Sequence, residues 1–149
     1  MHGERVKATT PSALPLAQIL AGGVKAQADI NSVATRGERL ISAMLWNYHD
    51  DDVKVAPANV AVKIAGIPPT VKRALVRHYR IDESHSNSYS AWKAMGSPQQ
   101  PTPEQYAALE SAGQLQLLTS PQWMTPQQGA VSLSFTLPRQ GVSLVQVTW

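Results

Sequence analysis

Prolines and glycines divide this sequence into short apolar segments, and that spacing limits the folds that the chain can adopt. Eleven prolines and nine glycines occur among 149 residues. Both residue types disfavour helix interiors, and short apolar segments separated by turn residues are typical of all-β sandwiches and barrels. The sequence therefore predicts a mainly β fold, an antiparallel β-sandwich that forms a single domain over residues 1–149.

The clearest predicted strand covers residues 39–48. Its apolar side chains fall on both sides of a two-residue alternation, with Met44 and Trp46 on one side and Ile41 and Leu45 on the other. A strand that is apolar on both faces belongs in the middle of a sheet, covered on both sides. We therefore expect residues 39–48 to be a central strand.

Similar patterns predict five further strands, at residues 30–35, 60–67, about 71–81, 131–137 and 142–149. The turn at residues 36–38 should join the first of these to the central strand as a hairpin, with Gly37 available for a positive φ. The last two strands are predicted to form a second hairpin across residues 138–141.

Two short helical insertions are predicted, at about residues 87–95 and 103–112. The first should end at Gly96, a residue type that readily forms a left-handed cap. The second should begin with a capping box, because Thr102 is followed by Pro103 and by Gln105 at the position that can hydrogen-bond back to the cap.

Composition excludes several classes of function. The chain has no cysteine, which rules out disulfides and thiolate metal sites, and its apolar stretch at residues 14–24 is too short to span a membrane. The net charge is +3, but the basic residues are dispersed, so we expect no nucleic-acid partner. Nothing predicts a cofactor or a metal, and the compartment is left open.

Polar clusters offer only weak candidates for chemistry. The run HDDD at residues 49–52 could supply oxygen ligands to calcium, but it lacks the spacing of a calcium-binding loop, and a solvated turn is the preferred interpretation. Ser84 and His85 are adjacent without a nucleophile elbow, so hydrogen bonding within a polar loop is favoured. Most aromatic residues are expected to pack in the core, whereas Trp123, predicted in a loop, could be an exposed ring that stacks on a sugar.

Several ordered motifs resemble one enzyme family. HYRIDESHSN at residues 78–87 and AWKAMGSP at 91–98 are similar to a segment near the C-terminus of β-xylosidases of glycoside hydrolase family 39. WNYHDDD at 46–52, PTPEQ at 101–105, AGQLQLL at 112–118 and LPRQGVSL at 137–144 follow the same order. The match to α-L-iduronidase is more distant.

The resemblance implies a non-catalytic role for this chain. Family 39 enzymes join a (β/α)₈ barrel, which carries the acid/base and nucleophile glutamates, to a β-sandwich with short helical insertions. This chain resembles only the sandwich, and its ten carboxylates include no recognisable catalytic pair. We therefore expect an accessory domain of a retaining xylan 1,4-β-xylosidase that acts on xylo-oligosaccharides in xylan degradation. The alternatives are an independent carbohydrate-binding module and, third, a small self-sufficient enzyme.

The polar loop at residues 82–87 is predicted to face the barrel or to lie at the rim of its active site. Asp82, Glu83, His85 and Asn87 concentrate more polar groups than a solvated turn requires, and they match the family segment. The alternative interpretation is local capping of the helix that follows. The barrel is thus the expected partner, with a xylo-oligosaccharide as a second candidate.

Overall fold

The structure, a computed structural model, describes residues 1–51 and 53–149, and within them it contains eight strands and three helices. The strands are β1 (Glu4–Val6), β2 (Asp29–Arg36), β3 (Leu40–Tyr48), β4 (Ala58–Ala65), β5 (Ala74–Ile81), β6 (Gln116–Met124), β7 (Ala130–Leu137) and β8 (Gly141–Thr148). The helices are α1 (Leu16–Gly22), α2 (Ser88–Ala94) and α3 (Pro103–Ala112). None of these helices is long and apolar enough to cross a membrane.

Two antiparallel sheets of unequal size form the sandwich. The large sheet has the order β1-β2-β3-β8-β5-β6, and the small sheet pairs β4 with β7. Alternate residues of both sheets point inward and form one apolar core, to which the large sheet contributes Ile41, Leu45, Val76 and Val145 and the small sheet contributes Ile64, Val131 and Leu137. The predicted mainly β, antiparallel sandwich is confirmed.

Strand β3 occupies the central place that its two-sided apolar pattern predicts. It lies between β2 and β8, and its inward residues Ile41 and Leu45 are buried. The opposite face is less covered than expected, because Met44 and Trp46 are only half-buried. The large sheet therefore keeps a partly apolar outer face.

Both predicted helices form between β5 and β6 and begin and end as expected. Thr102 and Gln105 make the reciprocal bonds of a capping box at the start of α3, and the Asn87 side chain accepts a hydrogen bond from the Ser90 backbone N–H at the start of α2. Gly96 has a φ of 83°, the left-handed conformation predicted for it. Neither helix contains a buried residue, so the pair adds little to the core.

The predicted hairpin of residues 131–137 and 142–149 is wrong. Strand β7 pairs with β4, whereas β8 lies between β3 and β5, so the turn at residues 138–141 carries the chain from one sheet to the other. Each strand has one apolar face directed at the core, and this pattern does not specify the sheet to which a strand belongs.

Smaller differences concern one turn and the elements that we did not predict. The β2–β3 hairpin forms with a bond of 2.8 Å from the Gly37 N–H to the Leu40 carbonyl, but Gly37 does not have the positive φ that we expected. β1, α1 and β6 were missed. β6 contains Pro121, which is tolerated because β6 is an edge strand of the large sheet.

Candidate functional site

The loop at residues 82–87 brings three of its four predicted site residues into one hydrogen-bonded turn. Asp82 Oδ1 accepts hydrogen bonds from the backbone N–H groups of Ser84, at 2.8 Å, and His85, at 2.9 Å, and it lies 2.9 Å from His85 Nδ1. Asn87 Nδ2 donates to the Asp82 carbonyl at 2.9 Å, while Asn87 Oδ1 caps α2. The local-capping alternative therefore accounts for Asp82, His85 and Asn87.

Glu83 differs from its neighbours because its carboxylate takes no part in the turn. It is exposed and lies 3.7 Å from Lys54 Nζ, itself exposed, so the pair is solvent-screened and contributes little to stability. Of the four predicted residues, Glu83 is the one whose charge is directed outward.

Ser86 connects the loop to two strands by hydrogen bonds, a role that was not predicted from the sequence. Its hydroxyl donates to the Arg80 carbonyl at 2.7 Å and accepts from the Gln116 N–H at 2.8 Å. Ser86 also has a φ of 52°, which is uncommon for a non-glycine residue. These bonds hold the loop against the ends of β5 and β6.

A polar seam, formed by Asn47, His78, Arg80 and Ser143, lies between the two sheets at one end of the core. Arg80 Nε donates to Ser143 Oγ at 3.1 Å, and Arg80 Nη2 crosses to the Thr136 carbonyl of the small sheet at 2.9 Å. Asn47 Nδ2 makes a second crossing, to the neighbouring Leu137 carbonyl, at 2.9 Å. The seam therefore joins the sheets by directional bonds.

Electrostatics inside the seam fix the protonation state of His78. Burial and the nearby Arg80 guanidinium lower the pKa of His78 to about 4. Ser143 Oγ receives the Arg80 N–H, so its own proton is available to the unprotonated His78 Nε2, which lies 2.9 Å away. Neutral His78 is thus an acceptor in this arrangement, and its ring lies edge-on to Phe135 at a centroid distance of 4.4 Å.

Arg80 also connects the seam to the polar loop. Its Nη1 lies 3.4 Å from Asp82 Oδ2. Burial raises the pKa of the Asp82 carboxyl, but the hydrogen bonds from His85 and Ser84 outweigh it and hold that pKa below its usual value. One sequence feature could have indicated this cluster. His78 and Arg80 are polar residues at the inward positions of β5 that follow Ala74 and Val76.

We expect acidification to destabilise the domain through His78. Its folded-state pKa of about 4 lies below its ordinary value of 6.5, so between these pH values the unfolded chain binds a proton that the folded chain does not. The free energy of unfolding should therefore fall by about 2–3 kcal/mol as pH drops from about 6.5 to 4. Urea melts across this range should show a flatter profile for His78→Gln, and an unchanged slope would contradict the assignment.

An outer apolar face lies on the side of the large sheet that points away from the core. It consists of Trp46, Tyr48, Tyr79, Ile81, Leu117 and Val142. The strand registers pair Val142 with both Trp46 and Ile81 and pair Tyr79 with Leu117, and Tyr48 lines one groove with Trp46 and Val142. Tyr48, Ile81 and Leu117 are 46%, 43% and 39% exposed. A groove of about 380 Å³ between Ile19 of α1 and Val142 extends this face.

Trp123, the predicted sugar-stacking ring, lies in β6 and not in a loop. It pairs across the sheet with Leu75 and is 58% exposed. The Arg73 guanidinium lies 5.0 Å from its ring centroid, so one side of the indole has a cationic neighbour. Stacking of a sugar on Trp123 stays a prediction.

The described part of the run at residues 49–52 is a hydrogen-bonded turn. His49 is buried, with Nδ1 3.0 Å from Asp51 Oδ2, and Asp51 also pairs with Arg139, while Asp50 Oδ2 accepts from the Val24 N–H at 2.9 Å. Asp52 lies outside the described residues. Within residues 1–51 and 53–149, no three acidic or histidine side chains gather as a metal site would require.

The fold and the surface together define a β-sandwich domain with an interior polar seam and an uncovered apolar face. The sequence profile of the family described as glycosyl hydrolases family 39 matches residues 13–129. The chain belongs to this family, and the resemblance read from its motifs is confirmed.

The similar proteins are much longer than this chain. A β-xylosidase of Geobacillus stearothermophilus is 26% identical over 119 residues, which are 77% of this chain and 22% of that protein. The structure of a family 39 enzyme from Xanthomonas axonopodis pv. citri is similar with a TM-score of 0.68 at 14% identity, covering 79% of this chain and 26% of that one. A monomeric β-xylosidase from Caulobacter crescentus has a TM-score of 0.61 at 18% identity, covering 78% and 26%. This chain spans about a quarter of such proteins or less.

Proposed function

We propose that this chain is a non-catalytic sandwich domain of a family 39 glycoside hydrolase and that it packs against the catalytic barrel of that enzyme. The outer apolar face carries the proposal. Large apolar side chains in one contiguous exposed patch mark an interaction surface more often than chance exposure. This chain matches only 22–26% of the length of its relatives, so those proteins contain much additional chain that could cover such a face.

The polar loop lies directly beside that face. Ile81 is the last residue of β5 and belongs to the outer apolar face, and Asp82 follows it as the first residue of the loop. An apolar centre with a polar margin is the usual anatomy of a protein interface. The proposal therefore places Glu83 at the margin of the barrel contact, with Asp82, His85 and Asn87 holding the loop in shape.

The hydrogen bonding of the carboxylates supports a non-catalytic role. Asp29 is buried, with its two oxygens accepting from the Leu14 N–H at 2.8 Å and from Trp46 Nε1 at 3.0 Å. Asp82 closes its own turn. These carboxylates are committed to folding, whereas a retaining glycosidase needs two carboxyls facing one bond. By analogy with its relatives, the parent enzyme would be a β-xylosidase that acts on xylo-oligosaccharides.

The isolated chain is expected to show no turnover of an aryl β-xyloside, because the catalytic pair would lie on the barrel. A spectrophotometric assay of the homogeneous protein tests this. Turnover that survives purification and disappears when one of the chain's own carboxylates is replaced would overturn the proposal.

The alternative function, an independent carbohydrate-binding module, is favoured by one observation, the exposed indole of Trp123. Calorimetric titration with xylo-oligosaccharides separates the two functions. Millimolar or tighter binding that is lost in Trp123→Ala and kept in Tyr106→Ala, a matched exposed aromatic on α3, would favour the module.

Replacing Ile81 with lysine should weaken the barrel contact and leave the isolated domain nearly unchanged. Ile81 is 43% exposed at the end of β5, so the domain can solvate the new charge, whereas an apolar contact cannot. In a barrel-containing parent we expect a melting temperature lower by several degrees or a loss of activity. Tyr106→Lys is the control, because Tyr106 is also an exposed large hydrophobic residue. Equal destabilisation of the isolated domain and the parent by Ile81→Lys would contradict the proposed contact with the barrel.

A further inference from the structure

An exposed indole lies at the end of the large sheet that is opposite the polar loop. Trp123, on the edge strand β6, is 58% exposed and pairs with Leu75 of β5, which is outward because its neighbours Ala74 and Val76 are in the core. Ile81 of the outer apolar face is six residues further along β5, a distance of about 20 Å. The surroundings of Trp123 therefore stay accessible when the outer apolar face is covered.

The parts of the sequence that surround this indole carry positive charge and no negative charge. Residues 53–81 contain six lysines and arginines, residues 111–149 contain one, and neither range contains an aspartate or a glutamate. These two ranges include all the strands from β4 to β8. The acidic residue that follows β5 is Asp82, at the far end of that strand from Trp123. This distribution of charge attracts anions to the Trp123 end of β5 and β6.

Arg73 places a guanidinium beside the ring. Its Cζ lies over the Trp123 indole, 5.0 Å from the ring centroid. Arg73 and the preceding Lys72 are exposed, and no described carboxylate pairs with either of them. Contact with the indole restrains the planar guanidinium while its N–H groups stay available, so Arg73 loses less conformational freedom when it binds an anion.

A second guanidinium lies on the same face of the sheet. Arg77 is two residues after Leu75 on β5, so it is also outward, and its Nη1 lies 3.4 Å from Thr148 Oγ1. Thr148 pairs with Leu75, and Leu75 pairs with Trp123. The Arg77 guanidinium is therefore two strand spacings from the indole, or about 10 Å. That separation suits a ligand of several sugar rings.

We propose that Trp123, Arg73 and Arg77 form a binding site for an oligosaccharide that carries a uronic acid. The C–H face of a pyranose ring stacks on the indole, and Arg73 donates two N–H groups to the carboxylate. A neutral sugar would use only the indole, and a simple anion would use only the cations, whereas an acidic sugar uses both. Arg77 contacts a neighbouring ring. Xylan with glucuronic acid branches is the ligand class, a choice of backbone that rests on the proposed function.

The test titrates the purified chain with two ligands of nearly the same shape. One is xylotriose with a glucuronic acid branch, and the other is the same molecule after reduction of its carboxyl group to an alcohol. Calorimetry should show saturable binding of the acid and binding of the reduced form that is weaker by about 10-fold, because a charge-assisted hydrogen-bonded pair is lost. The indole N–H resonance of Trp123 should shift during the NMR titration. Equal binding of both ligands, or no binding, would overturn the proposal.

Four substitutions of exposed residues provide the site controls. Trp123→Ala should weaken binding of both ligands, whereas Arg73→Gln should weaken binding of the acid and abolish the preference for it over the reduced form. Tyr106→Ala and Arg5→Gln should change neither. Arg5 is an exposed arginine on β1, the other edge strand of the large sheet, so Arg5→Gln removes the same charge at a distant position. Equal weakening by Arg5→Gln and Arg73→Gln would overturn the site.

A competing polyanion separates recognition of an acidic sugar from general attraction of negative charge. A single-stranded oligonucleotide should bind more weakly than the acidic xylotriose at the same ionic strength. Equally tight binding of the oligonucleotide would overturn the proposal, because it would require neither the sugar ring nor the geometry of one carboxylate. All of these measurements use the isolated chain and leave Ile81 unchanged, so they succeed or fail separately from the barrel contact.

Discussion

Replacing Leu45 with alanine is expected to lower the free energy of unfolding by about 2–5 kcal/mol. Leu45 is an inward residue of β3, buried in the core between the sheets, and β3 has a paired strand on each side. Because neighbouring strands hold the backbone in place, the core cannot collapse around the missing side chain. The variant therefore loses transfer free energy and also leaves a cavity.

Urea melts of Leu45→Ala and Leu117→Ala compare the same truncation on two faces of one sheet. Leu117 is 39% exposed on the outer apolar face, so its truncation should cost less than about 1 kcal/mol. A change within about 0.5 kcal/mol for Leu45→Ala would show that β3 is not central to the core.

Replacing Arg80 with methionine should cost about 2–4 kcal/mol, the second large effect. The guanidinium donates to Ser143 Oγ and to the Thr136 carbonyl and lies beside Asp82. Methionine fills much of the volume but offers no donor, so these acceptors lose their partner. The Asp82 carboxylate also loses a nearby positive charge.

Arg77→Met is the matched control, because Arg77 points to the opposite face of the same strand and makes one contact of 3.4 Å to Thr148. A separate readout is the pKa of His78, which the Arg80 charge helps to lower. That pKa, followed by NMR, should rise in Arg80→Met and stay unchanged in Arg77→Met. Equal destabilisation by the two variants would contradict the role of the seam.

Most local features were predictable from the sequence, apart from the φ of Gly37, and pairing between distant segments was not. The capping box at Thr102 and the left-handed Gly96 depend on residues within one turn, and both form as predicted. The sheet to which β7 belongs depends on its pairing with β4, about seventy residues earlier in the chain. One-face alternation is the same for either sheet, so the β7–β8 hairpin was predicted where none forms.

The seam and the outer apolar face were missed for the same reason. His78 and Arg80 were visible as polar residues at inward positions, but their partners Ser143 and Thr136 are 56–65 residues away. Exposure of Ile81 and Leu117 follows from which strands are adjacent, and β6 itself was not predicted. The polar loop was the exception, because all of its hydrogen bonds except the one from the Gln116 N–H to Ser86 Oγ connect residues at most six apart.

The two crossings of the polar seam determine how the layers of the sandwich are aligned. Apolar contacts are non-directional, so an apolar core alone would allow one sheet to shift relative to the other by a fraction of a residue. Arg80 and Asn47 hold the carbonyls of consecutive residues, Thr136 and Leu137, and they do so from different strands of the large sheet. Both bonds lie at the end of the domain that carries the polar loop, so they fix the relative position of the two sheets next to that loop.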